Sequence, residues 1–179
     1  FGGAERFVER ALAALVAQGA QITLIARDWE DGADADFEKI ICRPPSRGAF
    51  SGRTGRDRAF ARCVQETIAT RDFDLVQSHE RIPGCSIFRA GDGVHAAWLE
   101  RRAPFLTPLA RYAQRISPYH RYVLAAERAM FAHPALKAVI CNSWMIAAEI
   151  EKFFGLDREK LHVIYNGVDP EVFHPGLAD

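Results

Sequence analysis

The sequence predicts an α/β domain, a parallel sheet with helices on both faces, and three observations predict it. Residues 4–18 carry Phe7, Val8, Ala11, Leu12, Leu15 and Val16 as one apolar stripe at helical period. Gly19 follows as a helix-ending residue, and the short apolar run 22–26 follows that, which is the second half of a βαβ unit. The same alternation then recurs to the end of the chain, with turn residues between the pieces.

The remaining elements follow in order. Residues 38–42 form a second strand that ends before Pro44 and Pro45, and 46–55, rich in Arg, Gly and Ser, reads as a loop. Residues 56–70 are helical in pattern, with Phe60, Val64 and Ile68 on one side. A third strand is expected at 74–78, followed by another short apolar run within 82–88 and the break Gly91-Asp92-Gly93. The long segment 98–131 must divide at Pro104, Pro108 and Pro118, because proline ends or kinks a helix. A fourth strand, 137–141, leads to a helix through Phe153 that Asn142 or Ser143 can cap and Gly155 ends. A fifth strand, 161–165, turns out at Asn166-Gly167.

Composition narrows the function classes. The 179 residues fit one domain, and an apolar fraction of 49% supplies a core. Lys plus Arg balances Asp plus Glu at 23 each, so no whole-chain field draws the protein to nucleic acid. No apolar run approaches ~20 residues, so no segment reads as a membrane span. Cys42, Cys63, Cys85 and Cys141 show no CxxC pair or zinc spacing and read as reduced structural thiols in a reducing compartment. His120, His133, His162 and His174 show no metal spacing either, and no metal or other cofactor is expected.

Ligands of open parallel sheets bind beyond the strand C-termini. That rule selects His79-Glu80-Arg81, Gly91-Asp92-Gly93, Asn142-Ser143 and Asn166-Gly167 as the rim. His79, Glu80 and Arg81 could bind ligand hydroxyls or phosphates, or form a solvated charged loop. His95 follows Asp92 by three residues and could line the same pocket. Gly2-Gly3 leads into a helix N-terminus, where bare backbone N–H groups favour an anion such as a diphosphate; the plainer reading is a glycine turn. Between Trp98 and Arg128 lie Arg101, Arg102, Arg111, Arg115, Arg121 and Arg128, interleaved with Trp98, Phe105, Tyr112, Tyr119 and Tyr122. Basic and aromatic side chains together suit an anionic membrane surface, or else a solvated helix face with aromatics packed inward.

Phe1 to Arg6 ahead of an amphipathic helix resembles the opening loop of retaining glycosyltransferases of the GT-B fold. Val163-Ile164-Tyr165-Asn166-Gly167-Val168-Asp169, followed by Phe173 and Pro175, resembles that family's passage into its second domain. Between them, the stretches from Ile87 to His95 and from Ala126 to Phe131 look like the lipopolysaccharide core glucosyltransferase I subgroup. The resemblance implies a Rossmann-like domain, the N-terminal, acceptor-side half of a two-domain enzyme, spanning 1–179. On this reading the first strand and the C-terminal donor domain lie outside the chain, which opens on Phe1 rather than Met, and the piece alone is inactive. It implies transfer of a hexose, glucose from a UDP-sugar as co-substrate, to a lipid-linked saccharide such as lipopolysaccharide core. The location implied is cytoplasmic, peripheral on the inner face of the cytoplasmic membrane. Asp92 becomes the catalytic candidate, orienting the acceptor hydroxyl and taking its proton, although an Asp in a glycine turn can equally make an Asx turn. Gly2 and Gly3 become donor-phosphate contacts. Two other readings stay open: a sugar transferase with another donor and a soluble acceptor, and a non-catalytic α/β module that binds glycan.

Overall fold

The computed structural model describes residues 3–29, 37–44 and 52–167. The chain divides into two compact units, Phe1–Glu66 and Thr67–Asp179.

In the first unit, α1 (Gly3–Ala17) precedes β1 (Thr23–Ala26), which pairs in parallel with β2 (Glu38–Ile41), Thr23 opposite Glu38 and Ala26 opposite Ile41. Gly19 sits at φ +84, the left-handed conformation a helix end demands. α2 (Arg53–Thr70) starts three residues earlier than its apolar pattern indicates, inside the stretch read as loop. Its buried face is Phe60 and Val64. Arg27 lies over the Phe60 ring at 4.8 Å and pairs with Asp57 at 2.8 Å.

One expectation is corrected here. Cys42 and Cys63, read from the sequence as reduced thiols, form a disulfide that ties the end of β2 to the middle of α2, with Cα atoms 6.0 Å apart. Their separation of 21 residues hides the pairing from any local motif. The described core of this unit is small, so a cross-link supplies constraint that apolar area does not.

The second unit is a four-stranded parallel sheet in the order β3-β4-β5-β6. β3 (Gln77–Ser78) is shorter than the strand expected at 74–78. β4 (Ile87–Ala90), which the sequence shows only as a short apolar run, is a full inner strand with Phe88 and Ala90 buried and Ile87 and Arg89 on the other side. Arg89 in mid-strand is what obscured it. The prolines divide the long segment as required. α3 (His95–Arg102) passes through a 3₁₀ turn at Ala103–Phe105 into α4 (Pro108–Ile116) and α5 (Pro118–Phe131). Pro108 and Pro118 each open a helix, where a missing N–H costs nothing, behind the capping hydroxyls of Thr107 and Ser117.

β5 (Ala138–Cys141) pairs with β4 and with β6 (Leu161–Val163). Between them runs α6 (Trp144–Phe154), capped by Ser143 Oγ and ended by Gly155 at φ +61. The core is one cluster: Phe88 and Ala90 from β4, Val139 and Cys141 from β5, Met130 and Phe131 from α5, Ile146 and Ile150 from α6. Each large side chain buried there stabilises the fold by roughly 1.5–3 kcal/mol. Cys85 and Cys141 are buried free thiols, and burial pushes the Cys141 thiol up to about 11, so it is no nucleophile at neutral pH.

The disulfide makes a countable prediction. Alkylation followed by mass spectrometry should label no cysteine in the native protein, two after denaturation without reductant, and four after denaturation with it. Reduction should also lower the melting temperature, within a limit of about 3 kcal/mol for a loop of this size. Four labels without reductant would show that Cys42 and Cys63 are not paired.

Candidate functional site

The rim of the second unit is formed by the residues that leave β3 to β6 at their C-terminal ends. At the end of β3, buried Ser78 shapes the exit: its Oγ donates to the Glu80 carbonyl at 2.7 Å and accepts from the Glu80 N–H at 3.0 Å. Ile82, buried just beyond, fixes the other side of the loop. Arg81 is thereby held over the sheet end. His79 and Glu80 stay exposed; His79 Nε2 lies 3.2 Å from Gln77 Nε2, and desolvation, with Arg89 nearby, pushes its imidazole pKa down.

At the end of β4 the chain turns through Gly91-Asp92-Gly93. Gly93 sits at φ +77, in the left-handed region, and a Cβ there would lie 3.4 Å from Glu149 Oε2. The backbone of this turn is held by four side chains. Asn142 Nδ2 donates to the Gly91 carbonyl at 2.9 Å, and Arg81 Nη2 donates to the Gly93 carbonyl at 3.1 Å. The N–H of Val94 donates to Glu149 Oε2 at 3.3 Å, and that of His95 to Glu127 Oε1 at 2.8 Å.

These last two bonds explain how α3 begins. Its N-cap residue, Val94, has no side chain able to cap. Two carboxylates from other helices, Glu127 of α5 and Glu149 of α6, take up N–H groups at its N-terminus instead, and the helix dipole favours them there. Both are buried, with side chains 2% and 9% exposed, and each has an arginine partner. Arg81 Nε bonds Glu127 Oε1 at 2.8 Å, and Arg101 pairs with Glu149 Oε1. Burial pushes the Arg81 guanidinium pKa down; the bond to Glu127 and the charges of Glu127 and Asp92 outweigh that and raise it, so its charge is fixed.

Asp92 itself is open to solvent. Its side chain is 80% exposed, and Oδ2 lies 3.5 Å from Arg81 Nη1. The arrangement is a solvent-facing carboxylate on a rigidly held turn, with one guanidinium at its side.

The other sequence candidates are placed as follows. Gly2 lies outside the described residues, and Gly3 is the first residue of α1. His95 begins α3; its ring stacks on Trp98 at 5.5 Å, meets Tyr119 edge-on, and lies 3.0 Å from His120 Nδ1. Arg101 is over half exposed and bound to Glu149, and Arg102 lies over the Trp98 ring at 5.1 Å. Arg111 and Arg115 are exposed on α4. Beside them Phe105, Leu109, Tyr112 and Ile116 form a second exposed stripe, with Phe105 88% and Leu109 78% accessible. The helical period puts the apolar and basic stripes side by side.

Sequence reasoning singled out neither Glu127 nor Glu149. A signal was present. Glu127 falls in phase with Val123 and Met130, and Glu149 in phase with Ile146 and Phe153, so each is a carboxylate set on a buried apolar stripe.

Comparison with known proteins adds the family. The model of Glycosyltransferase Family 4 matches residues 1–172. The lipopolysaccharide glucosyltransferase WaaG of Escherichia coli is 22% identical over 171 residues, covering 96% of this chain and 43% of that protein. D-inositol 3-phosphate glycosyltransferases of Jonesia denitrificans and Mycolicibacterium smegmatis are each 26% identical, covering 99% of this chain and 44% and 43% of theirs. The chain thus spans less than half the length of these relatives. The crystal structure of WaaG, a glycosyltransferase involved in lipopolysaccharide biosynthesis, superposes with a TM-score of 0.77 at 23% identity, over 96% of this chain and 43% of that one. The fold is that of the N-terminal part of a GT-B glycosyltransferase, with Rossmann-like parallel sheets flanked by helices.

The held turn predicts the effect of Gly93→Ala. A side chain at positive φ, pressed toward Glu149, should lower stability by about 1 kcal/mol or more, read as a drop in melting temperature. Gly91→Ala, at an ordinary φ and with only a 3.8 Å contact to the Arg89 side chain, is the control. Equal melting temperatures for the two variants would contradict the geometry.

Proposed function

The chain belongs to glycosyltransferase family 4, and from that premise we propose that it forms the acceptor-side half of a sugar-nucleotide-dependent, retaining hexosyltransferase. One observation carries the reading: Asp92 presents a solvent-facing carboxylate on a turn whose backbone is fixed by Arg81, Asn142, Glu127 and Glu149. A carboxylate held this way can orient an acceptor hydroxyl and take its proton. As the acceptor oxygen bonds to the anomeric carbon of the donor sugar, the bond from that carbon to the nucleotide diphosphate breaks. The diphosphate leaves with the electron pair, and the hydroxyl proton passes to Asp92. In this reading His79, Glu80, Arg81 and His95 have the role of contacting the acceptor, and Gly2 and Gly3 that of contacting the donor phosphates. The donor is a UDP-hexose, glucose by likeness to WaaG, and a C-terminal domain of the same enzyme holds most of it. The chain by itself therefore does not turn over.

The acceptor in this reading is a lipid-linked saccharide such as lipopolysaccharide core. Two things support it: the likeness to WaaG, and the paired stripes of α4, apolar Leu109, Tyr112 and Ile116 beside basic Arg111 and Arg115. No helix among the described residues is long and apolar enough to cross a membrane. An exposed amphipathic helix of this kind lies instead in the headgroup plane of an anionic leaflet. Arg101 belongs partly to the site through Glu149, so Arg102, Arg111 and Arg115 form the surface proper. A second reading, a soluble phosphorylated acceptor, draws on the likeness to the D-inositol 3-phosphate glycosyltransferases.

Two measurements test these statements. In the complete gene product, Asp92→Asn should lower kcat by ~10²-fold or more, the scale of a positioned proton acceptor, with the fold intact. A normal rate would reduce Asp92 to a turn residue. In vesicle sedimentation, the complete protein should pellet with anionic vesicles and stay in solution with neutral ones. Binding should weaken with salt and be lost when Arg111 and Arg115 become Gln and Leu109 becomes Gln, at about 1 kcal/mol for each basic side chain. No binding to anionic vesicles would favour the soluble acceptor.

A further inference from the structure

We propose that Glu127 is a positioning residue for Asp92, acting through Arg81 and the His95 amide. The inference rests on the reading of Asp92 as the proton acceptor and adds how that carboxylate is kept in place.

The argument starts from burial. Glu127 is 1% exposed, in the middle of α5 between Val123 and Met130. A carboxylate so placed costs more than any packing it supplies unless it is fully compensated. Both its donors bind one oxygen: Arg81 Nε and the His95 N–H each reach Oε1 at 2.8 Å. Among the described residues Oε2 has no hydrogen-bond partner. An apolar residue would fill the same space in the core without that burden, so packing alone does not account for the carboxylate.

What the carboxylate does is geometric. Arg81 is a planar fork, and three of its nitrogens are assigned: Nε to Glu127, Nη2 to the Gly93 carbonyl, Nη1 toward Asp92 at 3.5 Å. The bond at Nε sets the plane of the guanidinium. With that plane set, Nη2 fixes one end of the turn and Nη1 stands beside the carboxylate. The His95 amide, bound to the same Glu127 oxygen, fixes where the turn enters α3. One buried oxygen therefore holds both the cation beside Asp92 and the backbone that carries it. Glu149 lacks this reach, because its partner Arg101 makes no bond to the turn among the described residues.

Glu127→Gln preserves shape and an oxygen that can accept both bonds, but removes the charge that anchors Arg81. Asp92 then becomes the carboxylate that Arg81 turns toward. Arg81→Lys keeps the charge but gathers its donors on one nitrogen, so it cannot span partners that the fork reaches from three separate nitrogens.

The test is a double-mutant cycle in the complete gene product, with melting temperature and circular dichroism recorded for each variant. Glu127→Gln should lower kcat by about 10-fold or more, a displacement of under an ångström being enough for such a loss, with the KM of donor and acceptor within about threefold of wild type. Arg81→Lys should lower kcat by a similar factor. In an Asp92→Asn background, Glu127→Gln should cost nothing further, because the group it positions is gone. A wild-type kcat in Glu127→Gln, or an equal loss in both backgrounds, would overturn the inference while leaving an impaired Asp92→Asn to support the reading of Asp92. If Glu127→Gln fails to fold, Arg81→Lys, on a partly exposed side chain, carries the same cycle. A normal rate in Asp92→Asn would remove the reading of Asp92 and this inference with it.

Discussion

A carboxylate taken out of water must find donors that replace the ones it leaves, and the site depends on how two such groups are compensated. Glu127 and Glu149 enter the second unit from α5 and α6 and come to rest under the start of α3. The donors they find there are the Val94 and His95 amides, which the helix would otherwise leave open. The exchange works in both directions: each buried carboxylate gains an amide donor and the uncapped helix is capped. The turn that precedes α3 cannot then shift without uncovering a carboxylate, and Asp92 sits on that turn. Arg81 and Arg101 complete the charge balance, and Arg81 adds a bond to the Gly93 carbonyl.

This explains why the rim combines a rigid backbone with an exposed functional group. Most of the turn's fixing bonds are made by backbone atoms, so the Asp92 side chain is left to face solvent. Gly91 and Gly93 let the chain fold back there, and only Gly93 needs the left-handed conformation. Beyond the turn, α3 leads through the 3₁₀ turn to α4, whose apolar and basic stripes remain uncovered among the described residues. The proposed proton acceptor and the proposed membrane face are thus the two ends of one short stretch of chain.

Much of the architecture was legible from local chemistry. The prolines at 108 and 118, the capping Ser143 and the terminating Gly155 mark helix limits because each acts through its own backbone. β4 was not recognised as a strand, because Arg89 interrupts a four-residue run whose alternation only the sheet makes plain. The Cys42–Cys63 pair was misread as free thiols, because a bridge 21 residues apart leaves no spacing signature. At the site, the rim rule chose Arg81 and Asp92 for their position, and the fold places them beside each other. It could not show that Arg81 faces inward as well as outward, since that follows from Glu127, 46 residues away. The two glutamates carry a signal legible in the sequence: charged residues in phase with apolar ones announce a buried network.

The claim that buried carboxylates hold the Asp92 turn is tested most directly by residue-resolved amide hydrogen exchange. If Glu127 and Glu149 cap α3, the Val94 and His95 amides should exchange as slowly as those of the buried strand β5, opening only with the unit as a whole. Exchange as fast as at the exposed first turn of α4 would show the amides open to water, and the carboxylates would then have no hold on the turn.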